Sequence, residues 1–346
     1  MTRLSRPASM LLALAFLCSS FVCGVSLAAQ PGSPAKPRVF VVQSYDKEYI
    51  WTQNINEGIR EGLRGLGATF QYFYMDAKRR PDPQALRQAA QDILWAIKAQ
   101  APQVVIAVDD AAQIYLVEPF LKDLASPQVI FCGVNAPISL YGFPASNVSG
   151  VRERWHFREG FSLLRKISPS LRSVAVISDD SESSGYVLDN LAEDQKKAGA
   201  FALKLAGVEK VHTFQAWQSK ILAYQRQADA LAIGIFHSLV DTATGQVVPP
   251  EKVIAWTNSV NKRPTLGFSD YAQGQGIMCG VLESGHEQGY LAGTMAREVI
   301  AKGVAAGSLP VRLNQRGIVF LNLKAAERFG LSIPYELIEA AEVVVQ

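Results

Sequence analysis

The sequence predicts an α/β protein built as two doubly wound, parallel-sheet lobes joined by a three-segment hinge. Three observations carry this. Six short apolar runs lack any alternation, as strands buried on both faces do. Segments of helix length, with apolar residues at helical spacing, separate them. The strand–helix series also runs through twice, the second time beginning after Val151, and two such series imply two sheets covered by helices.

Taken in order, the first strand is expected at Arg38–Ser44. A helix over Ile50–Leu66 follows, with Ile55, Ile59, Leu63 and Leu66 on one face. A second strand spans Phe70–Met75, and Pro83 opens a helix through Ala99, because proline suits a first helical turn. Strand Val104–Val108, a helix near Ala111–Leu124 and strand Val129–Val134 complete the first series. The second comprises helix Phe157–Ile167, strand Val174–Ile177, a helix over Gly185–Ala198 and a strand near Phe201–Leu205. Helix Phe214–Gln227, strand Leu231–Ile235, helix Glu251–Val260 and strand Thr265–Phe268 follow. The remaining elements are helix Gly285–Ala301, strand Gly317–Leu321 and short helices at Lys324–Phe329 and Pro334–Ala340. They are too few for a third domain and finish the two lobes. Extended stretches at Val148–Arg152, Ile277–Leu282 and Pro310–Arg312 are the expected crossings. The first lobe is then residues 38–150 with 281–308, the second 151–280 with 309–346. Three crossings make a hinge.

The N-terminus reads as a cleaved leader over residues 1–28. Arg3 and Arg6 precede an apolar stretch from Met10 to Val22, and Ser26-Leu27-Ala28 offers small residues for cleavage. Residues 29–37 form a flexible lead-in. The expectation is a periplasmic protein, secreted through that signal peptide and without a membrane domain. Lipid attachment at Cys18 or Cys23 is disfavoured, because Leu17 and Val22 stand where a lipobox needs a small residue. Losing Arg3 and Arg6 takes the net charge from +3 to +1, which gives no reason to expect nucleic acid as a partner. Cys132 and Cys279 remain, read as small buried residues, with a disulfide open in an oxidising compartment.

The apolar runs stop at polar or aromatic clusters. The first run ends at Gln43-Ser44-Tyr45 and the second at Asp109-Asp110; Asn135, Asp179-Asp180, Phe236-His237 and Ser269-Asp270 end the others. In open α/β sheets ligands bind beyond the carboxyl ends of strands, so these residues mark the site. Ser44, beside helix N-terminal amides, suits a carboxylate; its plainer role is a turn or N-cap. Of Asp109 and Asp110, one is expected to take a ligand ammonium and the other to cap a helix. Asn135 either contacts ligand or steadies the hinge. Across the cleft stand Asp179 or Asp180, and Asp270. Tyr45, Tyr49, Trp51, Tyr115, Phe236 and Tyr271 offer stacking faces, two or three of them serving as core or rim. Carboxylates, an amide and aromatics suit a zwitterionic, aromatic ligand.

Other chemistry fails on spacing. Gly274-Gln275-Gly276 with Gly280 lacks the nucleotide-loop pattern. His156, His212, His237 and His286 lack metal-ligand spacing and read as isolated surface or capping residues. No Gly-x-Ser-x-Gly elbow or paired Cys/His nucleophile is present. Neither catalysis nor a cofactor is expected.

Several segments together resemble the ABC-transporter substrate-binding family with the type I periplasmic-binding-protein fold, which includes tryptophan/tyrosine-type binding proteins. They are Gln43-Ser44-Tyr45 with Trp51-Thr52 and Gly58, Val105–Asp110, Val129–Asn135 and Ser146–Val151. Gly289–Gly293, Leu321–Ala326 and Phe329–Pro334 continue the series. The resemblance covers Arg38 to Val345, with Ser238–Pro249 departing from it. It implies closure of two lobes on a small-molecule ligand and delivery to an ABC permease in the inner membrane; a monomer is expected. The same module also resembles the extracytoplasmic part of receptors, so the alternative is a ligand-sensing component for a membrane sensor kinase.

Overall fold

The computed structural model describes residues 36–197 and 200–346. The expected leader with Cys18 and Cys23, most of the lead-in, and the end of the helix expected to reach Ala198 lie outside the described residues.

The first series runs β1 (Arg38–Gln43), α1 (Ile50–Gly62), β2 (Thr69–Tyr74), α2 (Pro83–Gln100), β3 (Val104–Val108), the single turn α3 (Asp109–Ala112), β4 (Gln128–Val134) and β5 (Val148–Arg152). The second runs α4 (Phe157–Ile167), β6 (Ser173–Asp179), α5 (Glu182–Lys197), β7 (Lys204–Val211), α6 (Phe214–Gln227), β8 (Ala230–Ile233), α7 (Pro250–Val260), β9 (Thr265–Ser269) and β10 (Cys279–Glu283). The chain then returns through α8 (Gly285–Lys302) and β11 (Arg312–Leu313), and ends with β12 (Ile318–Asn322), α9 (Leu323–Arg328), α10 (Tyr335–Glu339) and β13 (Val343–Val345).

Among the described residues the strands form two sheets, ordered β11-β5-β4-β3-β1-β2 and β13-β12-β10-β9-β8-β6-β7. The apolar runs fill the middle of each sheet: β3 and β8 are buried throughout. The outer strands β2 and β7 are only partly covered, as edge strands facing water on one side are. Pairing is parallel except that β12 runs antiparallel to β10. That departs from the all-parallel expectation: after β10 the chain crosses to the first sheet through α8 and β11 and comes back from it, so β12 runs opposite to β10. Between Ala112 and Lys122 the expected helix is a π-helical turn containing Pro119, whose ring cannot sit in an ordinary α-helix interior. Cys132 and Cys279 are free and buried. No described helix is long and apolar enough to cross a membrane.

The sheets exchange chain later than the sequence suggests. β10 stays with the second sheet to Glu283, and β11 joins the first as far as Leu313. The residues leaving these strands are tied by buried side chains. Asn314 Nδ2 donates to Glu283 Oε2 and to the Arg154 carbonyl, while its Oδ1 accepts the Arg154 amide at 2.8 Å. Gln288 Nε2 donates to Glu283 Oε1 at 2.9 Å, and Gln288 Oε1 accepts the Gly133 amide at 3.0 Å.

Helices α1 and α8 lie backbone to backbone on the first sheet. A Cβ on Gly289 would stand 2.0 Å from the Ile55 carbonyl oxygen, and one on Gly58 would stand 2.1 Å from that of His286. Only hydrogen fits at either place. Gly289→Ala is therefore expected to lower the unfolding free energy by about 2–3 kcal/mol, read as a shift in urea midpoint.

Candidate functional site

Each sheet reverses its strand order once, between β1 and β3 in the first and between β6 and β8 in the second. Crevices open beyond the carboxyl ends at such reversals. Tyr45 and Trp51 follow β1, Asp109 follows β3 and Asn135 follows β4. From the second sheet come Ser183 after β6, Ile235 after β8, and Ser269 and Tyr271 at the end of β9. Together with Tyr49, Lys78, Glu153 and Trp155 these enclose a cavity of about 20 Å³. Two larger chambers flank it. One of about 570 Å³ adjoins Tyr49, Lys78, His237 and Tyr271; the other, of about 300 Å³, adjoins Tyr45, Lys78, Asp110 and Ser183.

Asp109 is the polar centre of the first lobe. Its backbone has φ +62°, a left-handed conformation that costs a side-chain-bearing residue about 1–3 kcal/mol. Its Oδ1 accepts the Trp51 Nε1–H at 3.0 Å. Gly133 makes room for that oxygen, because a Cβ there would lie 2.7 Å from it. Oδ2 is buried with no hydrogen-bond partner, and so is Asn135 Oδ1. Burial raises the Asp109 pKa well above the usual carboxylate range, the Trp51 bond opposes this, and Asp110 adds to it. Glu153 is raised likewise, first by burial and then by Asp109. It accepts Asn135 Nδ2 at 2.9 Å and Trp155 Nε1 at 2.5 Å.

Aromatic rings wall the space. Tyr45 and Tyr49 meet edge to face at 5.5 Å, and Tyr49 and Tyr271 approach at 6.3 Å. His237 lies edge-on to Tyr271 at 4.9 Å. Its pKa is pulled well below the usual histidine range by burial and by Lys78, so the ring is neutral. Hydrogen bonds between described residues join the lobes here. Tyr45 Oη and Ser183 Oγ are 3.0 Å apart, Asn54 Nδ2 donates to Asp270 Oδ2 at 2.6 Å, and Asn190 Nδ2 donates to the Asn135 carbonyl at 3.2 Å.

Of the residues the sequence singled out, Tyr45, Tyr49, Trp51, Asp109, Asn135 and Tyr271 are brought together around the central cavity. Asp270 lies at its margin as part of the Asn54 bridge and also accepts the Gly285 amide. Asp110 faces the smaller chamber, its oxygens taken by the Asn135 and Ala136 amides and the Tyr141 hydroxyl. Ser44 does not reach the cavity: its hydroxyl donates to the Val108 carbonyl and accepts the Ala112 amide, stitching β1 to β3. Asp179 organises the turn after β6 by accepting from Ser181, Ser184 and the Ser238 amide. Phe236 is a core residue stacked under His237 at 4.4 Å. His156 and His237, read as surface or capping residues, are both buried, His156 because it packs beside Glu283 in the hinge.

Sequence reasoning missed Lys78, Glu153, Trp155 and Ser183. Lys78 follows the carboxyl end of β2, a position the strand-end rule covers; the half-polar pattern of that edge strand kept it out of the set of apolar runs. Glu153 and Trp155 directly follow the first crossing, and their polar–aromatic pairing was the available signal.

The family model for ABC transporter substrate binding proteins matches residues 51–345. The chain belongs to that family. Its members bind solutes and are extracytoplasmic, and the two-lobed α/β architecture is the type I binding-protein fold. A Streptococcus pneumoniae structure solved in complex with L-Trp is similar, with TM-score 0.69 and 20% identity over 90% of this chain and 100% of that one. A Vibrio cholerae conserved domain protein has TM-score 0.69 and 19% identity over 89% and 99% of the two chains. A Clostridium difficile substrate binding protein with adhesive properties, in a ligand-free, open structure, has TM-score 0.63 and 16% identity over 90% and 99%. No curated protein matches the sequence.

Burial pushes the Asp110 carboxyl up to about 6, against three hydrogen bonds that favour its charged form. The folded protein therefore holds a proton that the unfolded chain has released between about pH 4 and pH 6. The stability this group contributes is full below that window and is lost as pH rises through it. Asp110→Asn is expected to flatten the fall in stability across the window by on the order of 2–3 kcal/mol, measured by urea unfolding at pH 4, 5, 6 and 7.

Proposed function

We propose that this family member captures a small zwitterion of the aromatic amino-acid type between its lobes and hands it to an ABC importer. The observation that carries the reading is the cluster of unmatched acceptors, Asp109 Oδ2 and Asn135 Oδ1, inside an aromatic enclosure. A buried carboxylate is costly unless a cation is brought to it, and a ligand ammonium would supply that cation. Tyr45, Tyr49, Trp51, Trp155 and Tyr271 would stack on a ring or face the ammonium itself. The L-Trp in the pneumococcal structure supports the same class of solute.

The central cavity of about 20 Å³ has room for roughly one water. Admission of an amino acid therefore requires the lobes to part, breaking the Tyr45–Ser183 and Asn54–Asp270 bonds. Closure over the solute would re-form them and shift the population toward the form a permease recognises. Secretion into the periplasm through a cleaved leader belongs to the same proposal.

Titration with L-tryptophan, L-tyrosine and L-phenylalanine, with glucose as a control, tests the reading. At 100 times its Kd a true solute raises the melting temperature by about 5 °C. Asp109→Asn keeps an acceptor for Trp51 but loses the charge, and it is expected to weaken binding by about 30-fold or more. No response to any of the three amino acids would sink the proposal.

A further inference from the structure

Lys78 is a buried cation of the cleft. It lies in the loop after β2, whose Met75 and Ala77 amides donate to the Gln43 and Ser44 carbonyls at 2.9 and 2.8 Å. That pairing carries the loop across the carboxyl end of β1 and turns Lys78 inward, leaving the residue 5% exposed. Its side chain borders the central cavity and both flanking chambers. The ammonium sits 4.4 Å from the Tyr45 ring centroid and 5.4 Å from that of Tyr49. It makes no hydrogen bond or ion pair with any described residue.

The carboxylates around it are already engaged. Asp179 accepts from Ser181, Ser184 and the Ser238 amide. Asp46 takes the Glu48 and Tyr49 amides and lies near Arg79. Glu153 is held by Asn135 and Trp155. Asp109 alone has a free oxygen, and that oxygen does not pair with Lys78. Burial pulls the Lys78 pKa down, and these four acids together oppose it.

A face-on aromatic contact with a cation is worth about 2 kcal/mol when desolvated. Removing an ammonium from water costs several kcal/mol, and no described residue accepts from its three donors. Packing against tyrosines therefore does not account for a lysine here. An anion arriving with the solute would.

We infer that Lys78 receives the carboxylate of the bound solute and makes the cleft selective for amino acids over their amides and amines. Asp109 and Asn135 would hold the ammonium end, so the solute's two charges would lie between groups contributed by the loops after β2, β3 and β4. This rests on the zwitterion reading above and deepens it.

The test compares L-tryptophan with L-tryptophanamide, which keeps the ring and the ammonium but loses the negative charge. By isothermal titration the wild-type protein is expected to prefer the acid by about 30-fold or more. In Lys78→Met the preference is expected to fall to within about threefold, and Lys78→Arg is expected to restore most of it. The melting temperature of ligand-free Lys78→Met is expected to equal or exceed that of wild type, because a buried unpaired charge has been removed. Wild-type binding of acid and amide with equal affinity would overturn the assignment, as would Lys78→Met binding that keeps the preference. If Lys78→Met does not fold, the wild-type ratio decides alone. Failure of wild type to bind L-tryptophan, L-tyrosine or L-phenylalanine would remove the zwitterion reading and the role of Lys78 with it. Tight binding without discrimination would remove the role of Lys78 only.

Discussion

The backbone contact between α1 and α8 is the constraint on which the rest of the molecule depends. α8 begins directly after the second crossing, and α1 follows β1 after the six-residue loop 44–49. Because Gly58 and Gly289 let the two helices touch main chain to main chain, the hinge and the cleft are fixed to one rigid pair. The first turn of α1 supplies Trp51, which anchors Asp109, and Asn54, which reaches Asp270 in the other lobe. The first turn of α8 supplies Gln288, which ties Glu283 to Gly133. A bulkier residue at the contact would displace both sets together.

Charge is handled in two ways along this axis. In the hinge it is hydrogen-bonded on the spot. Glu283 is wholly buried, its oxygens are taken by Asn314 and Gln288, and burial together with Glu153 raises its pKa. In the cleft it is left incomplete, with Asp109 Oδ2 and the Lys78 ammonium both unmatched inside an aromatic wall. Satisfied polar networks rigidify a fold, whereas unsatisfied ones store a cost that a partner can relieve.

The fold was legible because buried parallel strands carry an unmistakable pattern. Val104–Val108 and Val129–Val134 read directly as central strands. The strands that escaped or were misplaced, such as β7 and β13, are short, partly exposed or bordered by polar residues, so burial no longer writes itself into their sequence. The π-helical turn was read as ordinary helix because its apolar spacing is helical even though its backbone is not. At the site, the strand-end rule found Tyr45, Asp109 and Asn135, yet position alone cannot say whether a polar atom is free. Ser44 stands at the right end of the right strand, but the Val108 carbonyl and Ala112 amide use up its hydroxyl. Lys78 follows an edge strand that its pattern understated, and its value lies in a lack of partners, which only three dimensions reveal.

Glu153 has a double position that bears on how such a protein can change over time. Most of the wall comes from loops beyond strand ends, where a tyrosine or serine can be exchanged without disturbing a sheet. Glu153 instead leaves β5 at the first crossing while also bordering the cavity and holding Asn135. A substitution there would alter which molecules fit and how readily the lobes swing in a single step. Evolution can retune the loop residues one at a time, but it can revise this carboxylate only by renegotiating recognition and motion together.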